Sequence, residues 1–385
     1  EQTKGSEIEN AHYRLTLDAG KLTLHDKRSG RCISSFFALE DCADAGDSYD
    51  FSPLAGDTPT RCDQFTLVDC LKTPLVEKLI VEATLLLPPD LAGRQENART
   101  PLSLRLACEL RDDDPNLYVD SSLENSHCDH RLRLLINSDI HTRHAIASQP
   151  FAIIERETGC HAEEWQEHYR EMPVDIETSE GIIAVAQAGK ALVVNSRGMK
   201  EFQIIGDAPA TVALTLFKST GVLGRSDLDW RPGRASGINN TVVETPDAQL
   251  LKPLRFSFTV ALADSADHLT LRQLENQTAG QPFTYQRQTL HTLDHRLERF
   301  SLRLPDRRLP AEFSLLNLPE PLILSALPHA QQSQGTVVRV FNAGTEPVPV
   351  PASLEGFRQI NYLEEPVQPV TAIPPFATCD FLMEA

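Results

Sequence analysis

Twelve histidines and eight cysteines make metal binding the first chemistry to test in this sequence. Zinc sites bring imidazoles onto one face of a strand or helix through HxH, HxxxH or HExxH spacings. The tightest cluster is His127-Cys128-Asp129-His130, and His161 with His168 is the next pair. Neither has a zinc spacing, and both read better as satisfied or solvent-facing histidines. Nucleophilic catalysis has no GxSxG elbow to work from, and "GVLGRSD" at 221–227 lacks the GxGxxG or GK[ST] of a phosphate-cradling loop. A pair of carboxylates for glycoside hydrolysis can come from distant parts of a chain, so spacing cannot pick two from 54 acids.

Four loop-like segments remain that mix polar and aromatic residues: "DAGDSYDFSP", "ENSHCDHRLR", "NSRGMKEF" and "LDWRPGRASG". Loops on a rigid scaffold are where binding residues collect, and Tyr, Trp and Arg suit the apolar face and hydroxyl rim of a sugar. The plainer alternative is that Arg131 and Arg133 form ordinary ion pairs and Trp230 plugs a sheet edge.

The elements that must position these loops are strands. In "YRLTLDAGKLTLHDKRSG" Tyr13, Leu15 and Leu17 alternate with polar residues, Asp18-Ala19-Gly20 turns, and Leu22 and Leu24 alternate again: a hairpin with one buried face. Further strands are expected near 65–70, 75–87, 102–110, 116–123, 131–136, 151–155, 181–187, 191–195, 202–206, 211–217 and 254–262. Many exceed the usual five or six residues, which predicts wide antiparallel sheets stacked face to face. Helix is expected only at 162–170 and 265–277. Composition changes near residue 278, so 1–277 is read as a large β domain and 278–310 as a linker or wrapping arm. Residues 311–385, with short proline-rich strands, read as a small β-sandwich.

Lys and Arg number 36 against 54 Asp and Glu, a net charge of −18 that argues against nucleic acid and anionic membrane partners. No apolar run approaches the roughly 18 residues of a spanning helix. The cysteines are scattered, as expected of small buried hydrophobes in a reducing cytoplasm. The chain opens on Glu1 and reads as strand by about residue 12, so a preceding segment is expected.

The four segments, in their order, resemble the carboxy-terminal half of the glycoside hydrolase family 38 α-mannosidases, and within them the bacterial mannosylglycerate hydrolase branch. "IENAHYRLTLDAGKLTLHDKRSG" looks like the family's opening hairpin, "DAGDSYDFSP" like its GDxYDxSP loop and "DHRLRLL" like its DHRLR strand. "SRGMKEFQIIG" and "LFKSTGVLGRSDLDWRPGRASG" resemble the segments that follow. The resemblance spans about residues 8–262; over 311–385 it rests mainly on "SLLNLP", "LILSAL" and "RVFN".

It implies an all-β chain, a large antiparallel super-sandwich of the galactose-mutarotase type followed by a small β-sandwich. In the family these follow a catalytic (β/α) barrel and a helical bundle, which carry a zinc bound by histidines and aspartates and the aspartate nucleophile of a retaining mechanism. Neither set is in this sequence, so no cofactor or catalytic residue is assigned to the chain, and zinc is expected in the amino-terminal half. A tyrosine of the family's equivalent loop hydrogen-bonds the bound sugar, which makes Tyr49, with Asp50 beside it, the first substrate-binding candidate. An arginine near "RPGR" also approaches that pocket, so Arg231 or Arg234 would bind hydroxyls or a substrate carboxylate. Asp129, His130 and Arg131 match the DHR motif and, with Asp47, are expected to form a network supporting the loops. The other reading of Tyr49 is a ring packed under its own turn with its hydroxyl in water.

The function implied is the non-catalytic part of a retaining α-mannosidase acting on α-mannosides such as mannosylglycerate, where it forms one wall of the sugar site. Its partners would be a carbohydrate and the barrel of the same protein, and self-association of the chain is expected if a barrel-covering face is exposed. Alternatives are a free-standing carbohydrate-binding or interface module, and a mutarotase-like enzyme, whose histidine and glutamate pair no motif nominates.

Overall fold

The opening hairpin forms between Tyr13–Asp18 and Lys21–Asp26, in a computed structural model that describes residues 5–96, 98–150, 152–159, 164–233, 241–279 and 313–384. Asp18 pairs with Lys21, and the two residues between them, Ala19 (φ 47°) and Gly20 (φ 79°), take the left-handed conformation that matches the twist of a tight hairpin. Tyr13, Leu15, Leu22 and Leu24 are buried on its inner face. The Tyr13 hydroxyl accepts the Leu262 N–H at 2.8 Å, fastening the hairpin to the main sheet.

Every strand expected between residues 65 and 262 is present. Nine of the strands form one antiparallel sheet running from Ala152–Glu157 at one edge, through Pro253–Ala263 at its centre, to Thr66–Lys72 at the other. Facing it is a six-stranded antiparallel sheet in the order Ile176–Thr178, Glu201–Ile205, Thr211–Ser219, His130–Asn137, Phe37–Ala43, Thr60–Cys62. Leucines of both sheets interdigitate in a single core, with Phe37 edge-on to Phe258 at 6.1 Å. Each such apolar side chain contributes about 1.5–3 kcal/mol by leaving water.

Within the two large sheets, Phe37–Ala43, Thr60–Cys62, His144–Gln149 and Ile176–Thr178 escaped the sequence analysis. "FALEDCA" does not look like a core strand, yet every residue in it is buried. Its acids are partnered from neighbouring elements: Glu40 by Arg133 and Arg61, Asp41 by Arg94 and the His130 imidazole. Glu40 and Arg133 face outward from the six-stranded sheet, as does Arg131 on the same strand, whereas Leu132 and Leu134 enter the core. A β-bulge in Thr211–Ser219 places one extra residue opposite Leu132 and Arg133. Leu216 and Phe217 consequently both enter the core, and Lys218 turns back out to reach the loop after Phe37–Ala43.

The helix expected at 265–277 forms over His268–Ala279, with Leu271 packed on Ile182, Ala184 and Val193 of the nine-stranded sheet. That expected at 162–170 is corrected: residues 162 and 163 lie outside the described residues, and beyond them only the short 3-10 turn Trp165–Glu167 forms. A second helix that was not expected, Leu91–Glu96, directs Arg94 at Asp41.

Residues 1–275 and 276–385 form two compact units. In the second, a four-stranded sheet, Leu322–Ala326, Thr336–Asn342, Thr378–Met383 and Arg358–Ile360, is accompanied by the pair Val348–Pro349 and Ala372–Ile373. Leu322, Val338, Val340, Ile373 and Phe381 are its core. The chain is therefore an all-β antiparallel super-sandwich followed by a small β-sandwich. Among the described residues no helix is long and apolar enough to cross a membrane. No described cysteine is in a disulfide; Cys42, Cys70 and Cys108 are buried as expected, but Cys32 is exposed. The arm expected at 278–310 lies, from residue 280 on, outside the described residues.

Candidate functional site

Buried carboxylates shape the loop that leaves Phe37–Ala43. Asp44 Oδ1 accepts the N–H of Gly46 at 2.9 Å and of Ser52 at 3.3 Å, closing the loop on itself. A Cβ on Gly46 would lie 2.0 Å from the Asp50 carbonyl oxygen, so no other residue fits there. Asp47 joins this loop to the 221–231 segment: Oδ1 accepts the N–H groups of Tyr49 and Asp50, both at 3.0 Å, and Oδ2 those of Gly224 (3.2 Å) and Arg225 (3.1 Å) and Arg231 Nη2 (3.0 Å). Burial by itself would raise the Asp47 pKa. The N–H groups of Asp50 and Tyr49 and the Arg231 charge outweigh it and hold the carboxyl below the usual aspartate range.

Asp44 is the opposite case. Burial pushes its pKa up to about 6, against the smaller pull of Lys218 and of the Gly46 and Ser52 N–H groups. Its Oδ2 has no hydrogen bond, and Lys218 Nζ stands 3.8 Å away.

The three residues of the DHR motif go to three places. Asp129, left-handed at φ 53°, accepts the Asp44 N–H on its carbonyl at 2.9 Å, and Gly221 N–H and Gln249 Nε2 on its carboxylate at 3.2 and 2.7 Å. His130 points into the sandwich, where Nδ1 meets Asp41 at 2.5 Å and Nε2 meets Asn125 Oδ1 at 3.1 Å. The Asn125 amide is oriented by its own donation to the His127 and Gln249 carbonyls, so both imidazole nitrogens face acceptors. Arg131 faces out: its guanidinium lies 3.9 Å from the Phe51 ring centre and bonds Glu201 at 3.2 Å, while Glu201 also accepts the Thr215 hydroxyl at 2.7 Å.

Above Arg131 opens a cleft of about 310 Å³, near the lower end of the roughly 300–1,000 Å³ of small-molecule sites. Tyr49, Asp50, Phe51, Glu201, Trp230 and Arg231 line it, with the 171–178 segment as the far side. Tyr49 is 62% exposed, and its hydroxyl has no hydrogen-bond partner among the described residues. The ring is not packed under its own turn. Arg231 is buried and bonds Asp47 through Nη2 and Asp50 through Nη1. A substrate carboxylate would therefore find both terminal nitrogens already facing carboxylates. Arg234 lies outside the described residues.

All four segments singled out in the sequence thus meet here, the second through Arg131. Phe51 and Glu201 lay inside those segments without being named, and Trp230, read above as a plug for a sheet edge, meets Phe51 edge to face at 5.4 Å and lines the cleft. The 171–178 stretch, "EMPVDIET", had no signal beyond its lack of periodicity. A larger concavity of about 490 Å³ beside Arg143 and Asp207 has no aromatic lining, and so lacks the apolar surface a sugar ring needs.

The family model of the "Glycosyl hydrolases family 38 C-terminal domain" matches residues 8–222. A "Putative mannosylglycerate hydrolase" of Halalkalibacterium halodurans is 23% identical over 266 residues, covering 63% of this chain and 27% of that protein. The crystal structure of an alpha-mannosidase from Enterococcus faecalis V583 superposes with a TM-score of 0.79 at 20% identity, covering 100% of this chain and 42% of that one. A second structure, described as a family 38 glycosyl hydrolase protein from Enterococcus faecalis, gives 0.76 at 19% identity, covering 100% and 44%. The chain thus spans well under half the length of these relatives, and the likeness to the solved structures is one of fold.

Proposed function

The chain belongs to glycosyl hydrolase family 38 through that family's C-terminal domain, and from this premise we propose that it forms one wall of the sugar site of a retaining α-mannosidase. The substrates would be α-mannosides such as mannosylglycerate, and the chain would bind and orient the sugar without supplying a catalytic group. The observation that carries this reading is the cleft itself, where an exposed Tyr49 hydroxyl and the Asp50 carboxylate stand at the rim of an aromatic-lined hollow. The names of the relatives, an alpha-mannosidase and a putative mannosylglycerate hydrolase, agree with it.

In this role Tyr49 hydrogen-bonds a sugar hydroxyl, Asp50 accepts from another, and the aromatic rings displace water from the sugar's apolar face. Arg231, Asp47 and Asp129 hold the loop that presents them. Zinc is implied by the resemblance, but among the described residues no three His, Cys, Asp or Glu side chains are grouped to hold a metal ion. The described residues do not fit a zinc site.

The test is hydrolysis of 4-nitrophenyl α-mannoside, with zinc added, by these 385 residues and by the full-length protein encoded by the gene. Activity in the full-length protein only is expected. Activity in the shorter chain overturns the wall role, and inactivity of both, with measurable mannoside affinity of the shorter chain, favours a free-standing binding module.

A further inference from the structure

Arg94 does not line the cleft, yet it grips the loop that carries Tyr49, Asp50 and Phe51 there. Residues 44–56 contain no strand or helix, and the two ends of the stretch meet: Asp57 Oδ2 accepts the Ala43 N–H at 2.8 Å. Arg94 closes that neck. Its Nη2 donates to Asp41 Oδ1 at 2.6 Å, on the strand that enters the loop, and its Nη1 to the Asp57 carboxylate at 3.1 and 3.3 Å, where the loop leaves. The Arg94 side chain is 4% exposed, Asp41 0% and Asp57 13%, so both charge-assisted bonds form largely out of water, where salt screens them little.

The short helix Leu91–Glu96 that bears Arg94 is itself fixed. Asp90 Oδ1 accepts the Gly93 N–H at 2.7 Å, and a Cβ on Gly93 would lie 2.7 Å from the Pro89 ring, so nothing larger fits without moving that proline. The Pro89 carbonyl accepts the Cys128 N–H at 2.9 Å, one residue before Asp129, whose own carbonyl holds the Asp44 N–H. A loop without regular structure samples many shapes unless its ends are joined, and joining them limits where its middle can go. The planar guanidinium fork fixes both the separation and the angle of the two carboxylates, which a lysine cannot do.

We infer that Arg94 is a positioning residue that, by clamping Asp41 to Asp57, sets where Tyr49 and Asp50 stand in the cleft, a role that rests on the sugar-site reading above. Affinity for the sugar is then tuned from the tip of the hairpin between Val76–Leu87 and Thr100–Arg111, away from the ligand.

The test uses Asp57→Asn in the full-length protein, which keeps an acceptor for the Ala43 N–H and leaves the buried Arg94–Asp41 pair intact. Arg94→Lys, which keeps a cation beside Asp41 but has no second arm for Asp57, should behave alike. Each should raise the KM for 4-nitrophenyl α-mannoside on the order of fivefold and leave kcat within about twofold. In a Tyr49→Phe background the same change should raise KM by less than about twofold, because the hydroxyl it misplaces is already gone. Exchange of the Gly46, Tyr49, Asp50 and Ser52 amides, which bond Asp44 and Asp47, should quicken in Asp57→Asn and stay as in the wild type in Arg143→Ala, which breaks an exposed pair with Asp207. A KM unmoved by Asp57→Asn, or equal rises with and without the Tyr49 hydroxyl, overturns the positioning role and leaves the wall role standing. Unchanged amide exchange in the loop overturns it too, whether or not the protein hydrolyses a mannoside. Absence of both mannoside hydrolysis and mannoside binding in the full-length protein removes the sugar-site reading and this role with it.

Discussion

Tyr49 and Asp44 sit in one loop and face opposite demands. The Tyr49 hydroxyl has no partner among the described residues, so Tyr49→Phe should leave the unfolding midpoint unchanged and lower kcat/KM for an aryl α-mannoside in the full-length protein roughly five- to tenfold, the value of one lost hydrogen bond. An unchanged kcat/KM removes the residue from the site. Asp44 carries a buried carboxyl oxygen without a hydrogen bond and a pKa pushed up to about 6. A folded-state value above the unfolded one means that its contribution to stability is complete below about pH 4 and is lost as pH rises through about 6. The gap corresponds to about 3 kcal/mol. Asp44→Asn keeps an acceptor for Gly46 and Ser52 and cannot ionise, so it should be more stable than the wild type at pH 7.5 by up to that amount. The advantage should vanish at pH 4, and urea titrations at the two values that show equal differences would refute this account.

Among the elements, the outward face of the six-stranded sheet departs furthest from ordinary patterning, because it buries ions. Glu40 is fully buried between Arg133 and Arg61, so Glu40→Ala leaves a buried guanidinium uncompensated and should cost about 3–5 kcal/mol. Arg143→Ala, which breaks an exposed pair with Asp207, should cost under about 1 kcal/mol. Equal losses in urea unfolding would show that the buried ladder is not what holds this face. The same ladder explains what could be read from the sequence. Strands with alternating leucines, such as 102–110, were legible because one face alone is apolar. "FALEDCA" was illegible because its acids are satisfied by residues 21, 53, 89 and 93 positions away, which no local pattern contains. The site was legible in part for a related reason. Its rim residues stand in loops whose composition is unusual, whereas Glu201 looks like any acid until Arg131 and Thr215 are seen beside it.

At the scale of the whole molecule, the two units have separate cores, and each should report its own stability. Phe381→Ala empties the centre of the smaller core and should cost about 3–5 kcal/mol there, lowering one calorimetric transition and leaving the other in place. A single transition that moves as a whole would mean that the units unfold together. The loop of the larger unit has a further consequence. Its course is set by Asp44, Gly46, Asp47 and Asp129, none of which lines the cleft, while the side chains at 49 and 51 project from it. Shape and cargo are therefore encoded by different letters of the same short word. A library randomised at 49 and 51 alone should yield mostly folded proteins with new ligand preferences, so this wall could diversify, in evolution or in the laboratory, by exchanging side chains on a frame that never has to be rebuilt.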